Sequence, residues 1–179
     1  MSIAVVFESM FGSTREIALA IAEGLAPYGV VVTANVNDPR AMEAVHSANL
    51  LVLGGPTHVH GMSRPSSREE ALAWSQDPKK DLALELSTPG TGVREWLKDI
   101  GHVPHLSAAF DTRADMARLL SGAASGQIQH AMANQGSRQV ISPESFLVTK
   151  ESKLAEGEQA RARNWGTSVG RAMEQFIHH

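Results

Sequence analysis

Ser9, Ser13 and Thr14 cluster around Gly12, between a short apolar run and an amphipathic stretch. Where a strand gives way to a helix, the first backbone N–H groups of the helix have no intrahelical partner, and the helix dipole favours an anion there. Three hydroxyls at such a turn can donate to phosphate oxygens without adding positive charge. Ser9-Met10-Phe11-Gly12-Ser13-Thr14 is therefore read as a phosphate cradle, with Thr14 also placed to cap the helix that follows. A second polar segment, Gly55-Pro56-Thr57-His58-Val59-His60-Gly61, and a third, Asp111-Thr112-Arg113-Ala114-Asp115-Met116, each follow another apolar run. His58 and His60 suggest a metal, but no third ligand is placed by spacing, so they are read as histidines flanking a ligand. Ser9 lacks the Gly-x-Ser-x-Gly context of a hydrolase nucleophile. The chain has no cysteine, which excludes disulfides, thiolate metal sites, iron–sulfur clusters and cysteine nucleophiles together.

The elements that must position these segments alternate. Ile3-Ala4-Val5-Val6-Phe7 is a continuous apolar run, expected as a strand buried on both faces. Ile17, Ala20, Ile21 and Leu25 fall at helical spacing after it. Further strands are expected at 30–36, 49–54 and 105–110, and a fifth at 139–148, interrupted by Pro143. Helices are expected at 39–47, 66–74, 93–100 and 122–134, with a last one starting near 156. Its buried stripe is Trp165, Val169, Met173 and Phe176. Trp96 is expected in the core, whereas Trp74 either covers the site or packs beneath the irregular segment 62–100. The stretch 150–153 reads as a solvated approach to the last helix. Five β–α units predict an α/β fold: a doubly wound five-stranded parallel sheet, order 2-1-3-4-5, with helices on both faces. Residues 1–177 read as one domain. In such a sheet ligands lie beyond the carboxyl ends of the strands, where all three polar segments are expected. A hydrophobic fraction of 42%, a charged fraction of 20% and a net charge of −3 fit a globular protein and give no sign of nucleic-acid binding. No apolar run reaches membrane-spanning length and no signal-type segment opens the chain, so a cytoplasmic location is expected.

These segments resemble the flavodoxin-like family along the whole chain. The phosphate loop of that family has the pattern Ser/Thr-x-Thr-Gly-x-Thr, matched here by Ser9, Gly12 and Thr14, with Phe11 in place of the usual Thr. The form Ser-Met-aromatic-Gly-x-Thr is similar to the flavodoxin modules of flavodiiron proteins. Gly55-Pro56-Thr57 resembles the family's segment at the isoalloxazine ring. The resemblance implies FMN, its phosphate on residues 9–14. It places the ring between Pro56, Thr57, His58, Val59, His60 and Gly61 on one side and Thr112, Arg113 and Asp115 on the other. No side-chain catalyst and no metal are implied, because flavin N5 carries the redox chemistry. Two features depart from the short electron carriers of the family. The third segment has no aromatic to stack on the ring. The charges near the site, His58, His60, Arg64, Arg68, Arg113 and Arg118 against Asp111, Asp115, Glu69 and Glu70, balance to neutral or basic. A positive group by the ring stabilises its anionic reduced form, which favours two-electron chemistry. The expected function is an FMN-dependent oxidoreductase of quinone-reductase or protoporphyrinogen-oxidase type. NAD(P)H or a redox partner protein would be the donor and a quinone-like molecule the acceptor, and quinone reductases of this fold commonly form homodimers. A flavodoxin-type electron carrier and a non-catalytic phosphate-binding module are the alternatives.

Overall fold

The computed structural model describes residues 1–58, 61–85, 88, 90–115 and 122–177. Strand β1 (Ser2–Phe7) lies in a parallel sheet between β2 (Val30–Asn35) and the central β3 (Leu50–His58). Beyond β3 lies β5 (Leu106–Ala114), followed by β6 (Arg138–Gln139) and β7 (Glu144–Val148), both paired with β5. A short β4 (Gly61–Met62) folds back antiparallel on the end of β3. The expected order 2-1-3-4-5 is present, its fifth position divided between β6 and β7. Pro143 lies between the two pieces; proline cannot donate to a ladder.

Alternation along β1 builds two cores. Ile3, Val5 and Phe7 face α1 (Ser13–Leu25) and α6 (Glu158–Ile177), together with Leu50, Val52, Phe110 and Phe146. Ala4 and Val6 face the opposite layer, built from α2 (Pro39–Ser47), α4 (Val93–Asp99) and α5 (Ala124–Asn134). The first layer holds an edge-to-face cluster of Phe110, Phe146 and Trp165, with ring centroids 6.2–6.4 Å apart. The second holds Trp96. Both tryptophans lie in the core as expected; on α6, Val169 and Met173 are buried and Phe176 is half-buried beneath the Arg138 guanidinium. Helices α1 and α6 meet without side chains between them: a Cβ at Gly24 would overlap the Arg163 carbonyl oxygen, and one at Gly166 the Ile21 carbonyl oxygen.

Three expected boundaries move, each for a tertiary reason. Strand β3 runs on through Pro56-Thr57-His58, because Gly54–Pro56 pair with Phe110–Thr112 and the last two residues pair with β4. Strand β5 continues past Phe110 to Ala114, because β7 supplies partners from Phe110 to Ala114. The second and third polar segments are thus largely strand rather than loop. Helix α1 begins at Ser13 with Gly12 as its cap, so Thr14 is not the N-cap. Among the described residues, α3 (Pro65–Ser75) is the other helix of the 62–100 segment besides α4.

Candidate functional site

Gly12 sits at φ +98°, a left-handed conformation that a side chain would strain. It turns the chain sharply from β1 into α1. Its N–H is taken by Ser9 Oγ at 3.1 Å, and its carbonyl accepts the first helical bond, from Glu16 N–H at 3.0 Å. The N–H groups of Ser13, Thr14 and Arg15 are left without an intrahelical acceptor at the carboxyl end of β1. The hydroxyls are partly committed. Ser13 Oγ donates to the Ser152 carbonyl at 2.6 Å, and Thr14 Oγ1 shares a 2.7 Å hydrogen bond with Thr112 Oγ1. One of the two threonine protons remains for another acceptor, as does that of Ser9, which uses only a lone pair on Gly12. Backbone donors therefore outnumber free hydroxyls at this turn.

A crevice of about 270 Å³ opens beside it, close to the lower end of the range for small-molecule sites. One side is Met10, Phe11, Ser13 and Thr14. Pro56, Thr57 and His58 come from the end of β3, Thr112, Arg113 and Ala114 from the end of β5. The structure thus brings Met10, Phe11, Ser13, Thr14, Pro56, Thr57, His58, Thr112 and Arg113 of the expected set to one cavity. Ser9 is buried behind it. Gly12 lies instead in an adjoining groove with Arg15, Glu16 and Glu85. Gly61 is buried in β4 against the Gln127 side chain, and Asp115 is exposed; neither lines the crevice. Val59 and His60 fall outside the described residues, as do Arg118 and Met116.

Of the two readings of Trp74, the one beside the site is met: from α3 it lines the crevice, and Lys80 Nζ stands 4.3 Å from its ring centroid. Sequence reasoning missed another part of the wall. Val148, Thr149, Lys150 and Ser152 line the crevice, so Lys150 and Ser152 are crevice wall and not merely a solvated approach to α6. The Ser13–Ser152 bond that holds this turn in place has no signature in spacing.

Two acids at the strand ends are buried. Asp111, read as part of a turn, is fully buried in β5, and its Oδ2 accepts the Ser125 N–H at 2.7 Å near the start of α5. Burial pushes its carboxyl up, opposed by that N–H. Glu8, unremarked in the sequence, is buried too. Its carboxylate accepts from Ser63 Oγ and from Val93 N–H at 2.9 Å, with the Arg68 guanidinium 4.0 Å away. Arg68 also pairs with Glu95 at 3.1 Å. Desolvation raises the Glu8 carboxyl above its ordinary value, more than Ser63, Val93 and Arg68 together lower it. Arg68 is thus buried and paired with Glu8 and Glu95 and does not line the crevice, which its charge reaches only through His58. His58 is held below the usual imidazole range, first by burial, with Arg68 reinforcing and Glu70 opposing.

No protein-family model matches the sequence, and no curated protein does. Solved structures do match. The chain is similar to a flavodoxin from the domain Archaea, at 18% identity and a TM-score of 0.62, over 97% of this chain and 99% of that one. It is similar to oxidised flavodoxin 1 from Bacillus cereus at 13% identity and a TM-score of 0.63, over 94% and 97% of the two chains. A flavodoxin, WrbA-like protein from Agrobacterium tumefaciens matches at 17% identity and a TM-score of 0.58, over 97% of each chain. At such identities the likeness establishes the architecture: this chain has the flavodoxin-like α/β fold.

Proposed function

We propose that this protein is an FMN-binding redox flavoprotein, built as one unit over residues 1–177. The observation that carries the reading is the opening turn of α1, where a left-handed glycine leaves three N–H groups without helical acceptors beside a crevice at the strand ends. The donor set suits a monophosphate ester: backbone N–H groups, Ser9 and the Thr14–Thr112 pair. The walls suit a planar ring, with Pro56, Thr57 and His58 on one strand end, Thr112, Arg113 and Ala114 on the other, and Trp74 also in the lining. FMN held there would supply hydride or single-electron transfer at ring N5. This chain's own residues orient it. The Thr14–Thr112 bond fixes the phosphate turn to the β5 end. Pro56 and Thr57 are held by pairing with β5 and β4, and neutral His58 shields the crevice without adding charge.

Within that class we favour an oxidoreductase working with NAD(P)H or a partner protein and a quinone-like acceptor, in the cytoplasm. Arg113 and Lys150 line the crevice, and no Asp or Glu is among its described lining residues. Positive charge beside the ring favours its anionic, two-electron reduced form. A flavodoxin-type electron carrier is the second reading, supported by the likeness to flavodoxins of closely similar length. Titration with FMN tests the cofactor: the expected result is a yellow complex with quenched ring emission, and a protein that stays colourless overturns it. Anaerobic addition of NADH and NADPH, then a small quinone panel, separates the two readings. Bleaching by a nicotinamide nucleotide and reoxidation by quinone is the oxidoreductase outcome; reduction only by a partner protein or dithionite is the carrier outcome.

A further inference from the structure

The groove next to the crevice contains an ion pair where an incoming anion would arrive. Arg15, in the first turn of α1, donates from Nε to Glu85 Oε1 at 2.7 Å. The Glu85 side chain is 19% exposed and that of Arg15 49%. The acid is held against the turn by its own backbone: Glu85 N–H donates to the Met10 carbonyl at 2.8 Å. Thr88 Oγ1 donates to the Ser9 carbonyl at 3.4 Å, so two points of the 62–100 segment grip the same turn. A Cβ placed on Gly12 would stand 3.4 Å from Glu85 Oε1 and 3.9 Å from Arg15 Nη2. A carboxylate and a guanidinium thus both abut the residue at which the helix begins.

We propose that Arg15 is a phosphate-selecting residue held in reserve by Glu85. This rests on the reading of residues 9–14 as a phosphate turn. A carboxylate close to a helix N-terminus satisfies part of the field that otherwise draws an anion. A phosphate entering the turn meets that like charge and competes for the same guanidinium. A phosphate monoester accepts the guanidinium fork as a carboxylate does and carries more negative charge, which makes it the stronger partner for arginine. Arg15 is the half-exposed member and has the freedom to turn; Glu85 is fixed by the Met10 contact. Binding therefore exchanges one Arg15 partner for another. The Glu85 charge that remains sets a threshold which a phosphorylated ligand crosses and a weaker anion does not.

The test compares FMN, riboflavin and inorganic phosphate against the full chain, Glu85→Gln and Arg15→Gln. Ring fluorescence gives the affinities of the two flavins, and thermal melts read phosphate. Expected is FMN binding on the order of tenfold tighter in Glu85→Gln and on the order of tenfold weaker in Arg15→Gln, with riboflavin unchanged in both. Protection by phosphate should shift in the same directions. The proposal is overturned if FMN affinity stays within about twofold in both variants, or if riboflavin shifts in parallel. A wild-type chain that ignores FMN, yet shows phosphate protection that grows in Glu85→Gln, defeats the flavin reading and leaves this inference standing. A chain protected by neither ligand defeats both. Melting of the unliganded variants close to wild type certifies their folding.

Discussion

Two arginine–glutamate pairs flank the carboxyl end of β1, and they are opposites. Glu8 and Arg68 have side chains 5% and 6% exposed, joined through Ser63 and closed by Glu95 and the Val93 N–H. Arg15 and Glu85 are 49% and 19% exposed and meet through one good hydrogen bond. In the first, both groups were removed from water; Glu8 depends on Ser63, the Val93 N–H and Arg68, while Arg68 keeps Glu95 as a second carboxylate, so losing Glu8 breaks a buried network and does not strand a lone charge. In the second, water and salt compete, and the pair contributes little to stability. Burial therefore separates an ionic cluster that fixes α3 and α4 to the sheet from an ion pair free to exchange its partner for a ligand. The same two residue types, on the same rim, serve as clamp and as latch.

The largest effect that would sharpen this contrast is removal of one clamp member. Glu8→Ala should cost about 3–5 kcal/mol in urea unfolding by taking the buried acceptor from Ser63 Oγ and the Val93 N–H and leaving Arg68 with Glu95 alone, while Glu8→Ala combined with Arg68→Met should recover part of that loss. A single variant within 1 kcal/mol of wild type, on the order of an exposed pair, would erase the distinction. Next comes the pH response of the clamp. The folded-state value of Glu8 is raised above its ordinary 4.5, so its contribution is present in full below that pH and is lost as pH rises through the folded value. Urea midpoints measured from pH 4.5 to 7.5 should show Glu8→Gln gaining on wild type as pH increases; a difference independent of pH would mean that the carboxyl is not perturbed. The smallest effect belongs to the latch: Arg15→Gln and Glu85→Gln should each change unliganded stability by less than about 1 kcal/mol, and by still less in 0.5 M salt (about one Debye length of 4–5 Å). A loss as large as that of Glu8→Ala would make the latch a second clamp and remove the freedom on which ligand exchange depends.

How far these features can be read from the chain follows from how local their causes are. The apolar run at Ile3–Phe7, the helical spacing of Ile17, Ala20, Ile21 and Leu25, and Gly12 between them specify β1, the turn and α1 with neighbours alone. The alternation of elements then yields the sheet order. Thr14 reads as a cap because hydroxyls favour helix starts, but Gly12 takes that place and Thr14 bonds to Thr112, almost a hundred residues away in sequence. Asp111-Thr112-Arg113 reads as a loop because it is polar; β7 makes it strand by pairing with it. Glu8 follows the apolar run with no local signal of its burial, and only Ser63, Arg68 and Val93, distant in sequence, explain why it is inside. Trp74, Lys150 and Ser152 join the crevice wall through α3 and the turn before α6, neither of which announces its docking partner.

The side-chain-free meeting of Gly24 and Gly166 has a consequence for biosynthesis. Helix α1 is seated by α6, which is synthesised after every other element described. Until residue 166 emerges, Ile17, Ile21 and Leu25 lack part of the surface that buries them. The seating of α1 is thereby deferred until residues 158–177 have been made, although of the described strands only β1 precedes it.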